Sequence, residues 1–238
     1  MSLENLLWYP LEDLPFLVIA IAIAFTVHEF AHAYSAYKFG DRTAYDLGRV
    51  TLNPRSHVDV LGTILILIAG FGWAKPVPVN IGRFKRPRLM GIIVSAVGPL
   101  ANLVVGVFAI VLIHLLSQTG LLYAGSEGVY KALIHLCYYL FSINLMLFVF
   151  NLIPIPPLDG YRIVADLLPL KWRYKLEQNI QWGIILFLLM VFIPQLRAVT
   201  IEPILSLSVD IMSGVWTLCE AVFSKPMDWD RFVIDFLA

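Results

Sequence analysis

The sequence contains a His-Glu-x-x-His motif at residues 28–32. Residues i and i+4 of an α-helix lie on the same face, so His28 and His32 can present two imidazoles to one zinc ion. Glu29 points about 100° away from His28 on a helix of 3.6 residues per turn. That direction suits a general base that hydrogen-bonds an activated water better than it suits a third ligand. The spacing therefore predicts zinc chemistry.

The motif lies inside an apolar run that is long enough to cross a membrane. From Leu14 to Phe39 the only acid is Glu29 and the only base is Lys38, and the run exceeds the roughly 20 residues that a spanning helix needs. A charged residue at this depth costs roughly 2.5 to 3.5 kcal/mol on insertion scales. The bare motif also occurs by chance in soluble helices, but three polar groups in lipid need a shared partner, and we expect a metal.

The composition is that of an integral membrane protein. Of 238 residues, 59% are hydrophobic and 14% are charged, against about 25% charged residues in typical soluble domains. The net formal charge is zero, so nothing indicates binding to nucleic acid. Cys137 and Cys219 have no metal-type spacing and are expected to be reduced.

Apolar segments that could span the membrane are residues 14–38, 89–116, 130–153, 180–196 and 199–223. A sixth, 58–74, is short and punctuated by glycines, which favours a re-entrant or in-plane element. Residues 47–53 and 75–81 show β-branched alternation and could pair as short strands. Such a pair could bind a substrate strand at its edge or be purely structural. We therefore predict an all-α polytopic membrane protein of five to six transmembrane helices, with a small β-hairpin/re-entrant element after the first span.

The basic residues predict the orientation in the membrane. Nine of the 17 Lys and Arg residues lie between positions 38 and 88, and four lie in residues 154–179, whereas residues 117–129 contain none. The positive-inside rule places the two basic segments on the cytoplasmic side and the N-terminus outside. The His-Glu-x-x-His motif then lies towards the cytoplasmic end of the first span.

A catalytic zinc site usually has three protein ligands, and Asp159 is the candidate for the third. It follows Asn151 in the sequence NLIPIPPLDG, whose prolines break the helix at membrane depth. Such a break is tolerated where it is buried in protein or lines a wet cavity. Asp159 could point back to the metal or could cap the next helix, and the residues alone support both alternatives equally.

The two motifs together resemble those of the site-2 protease family of intramembrane zinc metalloproteases, in its compact form without PDZ or CBS domains. The family motifs are His-Glu-x-x-His and a later Asn-x-x-Pro-x-x-x-x-Asp-Gly. The resemblance covers roughly residues 14–168 and implies that His28, His32 and Asp159 bind one Zn²⁺ per chain. It also implies that Glu29 is the catalytic base.

The resemblance includes a Gly-x-x-x-Asn pattern at Gly98 and Asn102. It implies that Asn102 donates a hydrogen bond to the developing oxyanion, while helix packing is the alternative use of the same pair. Asn151 is a candidate for substrate binding, because it could line the substrate path or hold the loop.

Other polar residues have weaker assignments. The compact members commonly have His-x-Asp-Pro where this sequence has His57-Val58-Asp59-Val60. His57 and Asp59 could form a second metal site, but a hydrogen-bonded pair is favoured. His114 and His135 lie near span ends and are interpreted as interfacial or packing residues.

The predicted function is hydrolysis of peptide bonds within or near transmembrane segments of membrane-protein substrates. We expect a single integral membrane domain over residues 1–238, with a metalloprotease core at 14–168 and additional spans at 180–223. The expected location is the cytoplasmic membrane, with the active site towards the cytoplasm. A homo-oligomer or a regulatory membrane partner is compatible with the sequence. The alternatives are a membrane zinc transporter, with Asp210 and Glu220 as the extra candidates, and a non-catalytic membrane scaffold.

Overall fold

The computed structural model describes residues 7–237, in which there are ten α-helices and no β-strand. The helices are α1 (Leu14–Lys38), α2 (Thr43–Asp46), α3 (Val60–Ala69), α4 (Pro87–Thr119), α5 (Glu127–Asn151), α6 (Asp159–Leu167), α7 (Leu170–Gln178), α8 (Ile180–Phe192), α9 (Pro194–Val222) and α10 (Trp229–Leu237). Short 3₁₀ turns occur in several of the connections, including Leu11–Asp13 directly before α1.

Four helical segments are long and apolar enough to cross a membrane: Leu11–Lys38, α4, α5 and α9. The prediction of five to six transmembrane helices is therefore wrong for the part of the chain that the structure describes. The predicted span 180–196 is divided, because Pro194 begins a new helix and Ile193 before it is extended, as a residue preceding proline usually is. The 13 residues of α8 extend only about 20 Å.

The predicted β-hairpin is also wrong, since no ladder joins residues 47–53 to residues 75–81. The second segment has no regular secondary structure; the residues before its two prolines favour extended backbone, but the prolines have no N–H to donate to a neighbouring strand. We refer to residues 75–81 as the extended segment. A side chain takes the place of a neighbouring strand as hydrogen-bond donor. The guanidinium of Arg49 donates to the carbonyl oxygens of Lys75 (2.6 Å) and Pro76 (3.3 Å). Side-chain hydrogen bonds thus hold an extended segment that the sequence pattern suggested would be a strand.

The centre of the molecule is a three-helix arrangement in which α1, α4 and α5 all contact one another. Helix α6 packs on α4, and α9 packs mainly on α5. The largest apolar cluster joins Ile110 of α4 and Phe141 of α5 to Trp216 of α9 and Phe232 of α10. Because the three central helices meet pairwise, polar residues on each of them can reach one common site.

Candidate metal centre

The three predicted metal ligands converge in the structure. The Nε2 atoms of His28 and His32 lie 3.0 Å apart, and Oδ2 of Asp159 lies 3.1 Å from the first and 3.2 Å from the second. Ligand atoms bound at 2.0–2.1 Å to a tetrahedral zinc ion lie about 3.3 Å from one another. The spacing of these three atoms therefore fits a single zinc ion.

Hydrogen bonds from the opposite ring nitrogens orient both imidazoles. Nδ1 of His28 lies 2.7 Å from Oδ1 of Asn102, and Nδ1 of His32 lies 2.6 Å from the carbonyl oxygen of Val94. Amide and carbonyl oxygens accept hydrogen bonds, so both Nδ1 atoms carry a hydrogen, and in the neutral imidazoles both Nε2 atoms keep a free lone pair. This is the tautomer in which Nε2 can bind a metal.

Space for the two rings comes from Gly98 on α4. A Cβ at this position would lie 2.2 Å from Nε2 of His32 and 3.0 Å from Cε1 of His28. Any side chain there would displace the imidazoles from their present positions. The glycine of the Gly-x-x-x-Asn pattern thus contributes to the site by leaving room for the histidines.

A tight turn brings Asp159 to the histidines. Helix α5 ends at Asn151, and Asp159 is the first residue of α6, whose N-cap is Leu158. A Cβ on Gly160 would lie 2.2 Å from the carbonyl oxygen of Leu152, so the turn requires glycine at this position. The carboxylate contacts His28 and His32, and no side-chain bond caps α6.

The carboxylate of Glu29 is buried beside the three ligand atoms without being one of them. Its Oε2 accepts a 2.8 Å hydrogen bond from the backbone N–H of Val77. Val77 lies between the two prolines of the extended segment. Its N–H has no strand partner and donates to Glu29 instead. One oxygen of Glu29 is thereby held in place, and Oε1 remains as the second.

A second buried carboxylate, Asp41, fixes the far end of the extended segment. Its Oδ2 accepts a 2.6 Å hydrogen bond from the N–H of Asn80, and its Oδ1 accepts from both the N–H and the hydroxyl of Thr43. Burial raises the pKa of Asp41, but these hydrogen bonds outweigh burial and hold the pKa below its usual value. Asp41 is therefore ionised at neutral pH and anchors the segment that orients Glu29.

The ligand atoms face a cavity of about 230 Å³. Asn151 also lines this cavity, while its Nδ2 donates to the carbonyl oxygen of Leu147 (3.0 Å). A smaller apolar cavity adjoins it, and the two share the side chains of Phe25, Phe71 and Phe150. An apolar segment thus has a place directly beside the ligands.

Asn102 is fully buried and all its amide atoms are engaged. Oδ1 accepts from His28, while Nδ2 donates to the carbonyl oxygen of Ala24 (3.0 Å) and to Oδ1 of Asn144 (2.9 Å). Sequence reasoning missed Asn144 as part of this network. The signal that could have found it is an uncharged polar residue in the middle of an apolar span, where such residues usually have a specific partner.

The other polar residues singled out from the sequence lie outside this network. Nε2 of His57 donates to the carbonyl oxygen of Thr51 (2.7 Å), and Oδ1 of Asp59 accepts from the N–H of Gly62 at the start of α3. These two side chains therefore have separate partners instead of forming the predicted pair. Burial lowers the pKa of His57, which keeps it neutral.

The remaining two histidines lie on α4 and α5. His114 packs against Trp216, with ring centroids 4.5 Å apart, which agrees with a packing residue. His135 pairs with Asp13, since Nδ1 lies 2.6 Å from Oδ1.

Comparison with known proteins gives one family and several relatives. The sequence profile described as peptidase family M50 matches residues 16–193. Several relatives bear the printed name "Putative zinc metalloprotease", among them the following three. YwhC of Bacillus subtilis is 46% identical over 93% of this chain and 98% of its own length. Rip2 of Mycolicibacterium smegmatis is 29% identical over 79% of this chain and 72% of its own length. MJ0611 of Methanocaldococcus jannaschii is 31% identical over 66% of this chain and 69% of its own length.

No solved structure matches the chain. The range matched by the family profile contains the three converging ligands, the adjacent glutamate and both buried asparagines of the network.

Proposed function

Because the chain belongs to peptidase family M50, the site-2 protease family, we propose that His28, His32 and Asp159 bind one zinc ion and that Glu29 is the general base for peptide-bond hydrolysis. The predicted family and enzyme class, a zinc metalloprotease, are confirmed by the profile match and by the relatives. Four long apolar helices and the family make the protein an integral membrane protein.

The observation that carries the site assignment is the chemistry of the three atoms that converge. Two imidazole nitrogens and a carboxylate oxygen lie within 3.2 Å of one another, and with both Nδ1 atoms donating, the neutral imidazoles direct their Nε2 lone pairs at one point. Three such acceptors this close are stabilised by a cation among them, which can be a proton or a metal ion. Nitrogen and oxygen ligands in this number are those of a catalytic zinc site with an open fourth position.

The mechanism follows from where the side chains lie. A zinc ion held by His28, His32 and Asp159 would supply Lewis-acid polarisation of a water molecule and of the substrate carbonyl. Glu29, with Oε2 fixed by the N–H of Val77, takes the proton of the attacking water on Oε1. It then transfers that proton to the leaving amine nitrogen, as a general base that becomes a general acid.

The substrate in this proposal is an apolar membrane-protein segment that has lost its helical hydrogen bonds at the cleaved bond. The adjoining apolar cavity, which shares three phenylalanines with the ligand cavity, supports this choice. A peptide bond inside a helix is shielded by its own hydrogen bonds, so local unwinding must precede attack. Asn151 lines the same cavity and is proposed as a substrate contact.

We place the site towards the cytoplasmic side of the cytoplasmic membrane. The support is the concentration of basic residues in two segments that touch: Nε of Arg88 donates to the carbonyl oxygen of Asp166 (2.9 Å), and its Nη2 contacts the carbonyl oxygen of Leu168. Because the two basic segments are in contact, they lie on the same side of the membrane, and the positive-inside rule assigns that side to the cytoplasm. We propose residues 14–168 as the catalytic core, since every proposed site residue lies there.

The test compares the purified wild type with Glu29→Gln and with Glu220→Gln, a matched change in α9. Each is reconstituted with single-span membrane proteins, fragments are identified by mass spectrometry, and bound zinc is measured. Glu29→Gln should retain about one zinc per chain and lose roughly 10²- to 10⁴-fold in cleavage rate, the usual contribution of a general base. Glu220→Gln should cleave as the wild type does. Cleavage that survives in purified Glu29→Gln would refute the assignment.

A further inference from the structure

Two fully buried asparagines connect α5 to the ligand His28 through a continuous series of hydrogen bonds. Nδ2 of Asn144 donates to the carbonyl oxygen of Leu140 (2.7 Å), and Nδ2 of Asn102 donates to Oδ1 of Asn144 (2.9 Å). Nδ1 of His28 then donates to Oδ1 of Asn102 (2.7 Å). Both asparagines lie in candidate membrane spans, where a polar side chain is retained mainly for a specific interaction.

Each hydrogen bond in this series permits only one direction. The carbonyl oxygen of Leu140 can only accept, so Asn144 presents Nδ2 to it and Oδ1 to Asn102. Asn102 must therefore turn Nδ2 towards Asn144 and Ala24, which leaves Oδ1 facing His28. A flipped Asn102 amide would present hydrogens to Nδ1 of His28. The imidazole would then carry its hydrogen on Nε2, where it would block a metal.

We infer that Asn144 is a positioning residue that acts through Asn102 to hold His28 in the metal-binding tautomer and orientation. The inference rests on the zinc site proposed above. It also gives Asn102 a role different from the oxyanion donor implied by the family resemblance. Both Nδ2 hydrogens of Asn102 already have acceptors, and donation to a substrate oxygen would require breaking one of these bonds.

Zinc affinity, measured by competition with a chelator of known affinity, separates the two roles. Loss of the hydrogen-bond partner of a ligating histidine typically lowers metal affinity 10- to 100-fold. Asn102→Leu should therefore bind zinc roughly 10- to 100-fold more weakly than the wild type. Asn144→Leu acts one hydrogen bond further from His28 and should cause a smaller but measurable loss of zinc affinity. Asn102→Asp retains an acceptor for His28 and should bind zinc more tightly than Asn102→Leu. The absorption spectrum of the Co²⁺-loaded protein should change in the two leucine variants.

An oxyanion donor would give the opposite pattern. Asn102→Leu and Asn102→Asp would then bind zinc as the wild type does and both would lose turnover, because neither side chain retains the amide donor. That result, or unchanged zinc affinity in Asn144→Leu, would overturn the positioning role. Asn144→Ala removes the same acceptor with a smaller side chain, and the same loss of affinity is expected if the leucine variant does not fold.

Two controls complete the design. Ser117→Ala removes a buried polar group from the same helix as Asn102, about 22 Å further along it, and should leave zinc affinity unchanged. Failure of the wild type to bind zinc would instead refute the proposed metal site itself, so the two proposals fail in different ways.

Discussion

Two polar clusters contact helix α1, about 22 Å apart along it, and they are built on opposite principles. Just before α1 begins, Oδ1 of Asp13 pairs with Nδ1 of His135 (2.6 Å), and Oδ2 accepts from the hydroxyl of Tyr139 (2.8 Å). Further along the helix, His28 and His32 direct their Nε2 atoms at the carboxylate of Asp159. We refer to these as the closed cluster and the metal cluster.

The difference lies in where the hydrogens are. In the closed cluster each oxygen of Asp13 has a donor, as is usual for buried polar groups in proteins. In the metal cluster the Nδ1 hydrogens of both imidazoles point outwards to Asn102 and Val94, and in the neutral imidazoles the inner atoms are all acceptors. Burial and polarity are similar in the two places, so the direction of the donors is what separates a structural contact from a ligand-binding site.

The largest expected effect is on zinc binding and cleavage, and it comes from replacing the aspartate of each cluster by alanine. Asp159→Ala removes one of the three proposed ligands and should abolish both zinc retention after dialysis and cleavage of membrane substrates. Asp13→Ala removes a carboxylate that is even more buried and should leave both unchanged per folded molecule. Elemental analysis and a cleavage assay measure the outcome. Full zinc occupancy and activity in Asp159→Ala would exclude this residue from the site.

Gly98→Ala should disturb the metal cluster without removing a ligand. Its methyl group would lie 2.2 Å from Nε2 of His32, so zinc affinity should fall roughly 10-fold or more. Gly214→Ala is the matched control, because a Cβ at that helical glycine meets no atom within 4 Å. Chelator competition compares them, and equal affinities would mean that the rings can move aside at no cost.

Asp13→Ala should show its effect in stability. It leaves His135 and Tyr139 without their buried partner, which should lower the free energy of unfolding by about 1–3 kcal/mol. Denaturant unfolding in detergent micelles provides the measurement. A loss of zinc affinity in this variant would show that the closed cluster is coupled to the metal cluster.

The smallest expected effect comes from Tyr139→Phe, which removes one hydrogen bond to Asp13 and retains the ring. Hydrogen bonds between membrane helices average about 0.6 kcal/mol, and a loss of that order is expected in the same unfolding experiment. A change far above this value would indicate that the hydroxyl supports more than the single contact with Asp13.

The chemistry of the site was easier to predict from the sequence than its surroundings. Helical geometry alone brings His28 and His32 together, because their spacing is local. Asp159 was reached only by adding the family resemblance, since residue types could not decide between ligation and capping. Asn144 went unnoticed because its role depends on the register of α5 against α4, which spacing along one helix does not reveal.

The two failures at the level of the fold have a common cause. Alternation of β-branched residues suggested strands at 47–53 and 75–81, and hydropathy suggested a span at 180–196. Proline prevents the predicted structure in both places. Two prolines remove N–H donors from the extended segment, and Pro194 separates α8 from α9. Hydrophobic pattern describes which environment a segment prefers, whereas backbone hydrogen bonding determines which structure it can form there.

The separation of the ligands along the chain has a consequence for biosynthesis. His32 and Asp159 are 127 positions apart, and helices α4 and α5 are made between them. While the nascent chain enters the membrane, the histidines are therefore present well before the third proposed ligand has been translated. A growing chain can hold at most two of the three proposed ligands until residue 159 leaves the ribosome, so we expect hydrolytic activity only once the proposed catalytic core is nearly complete.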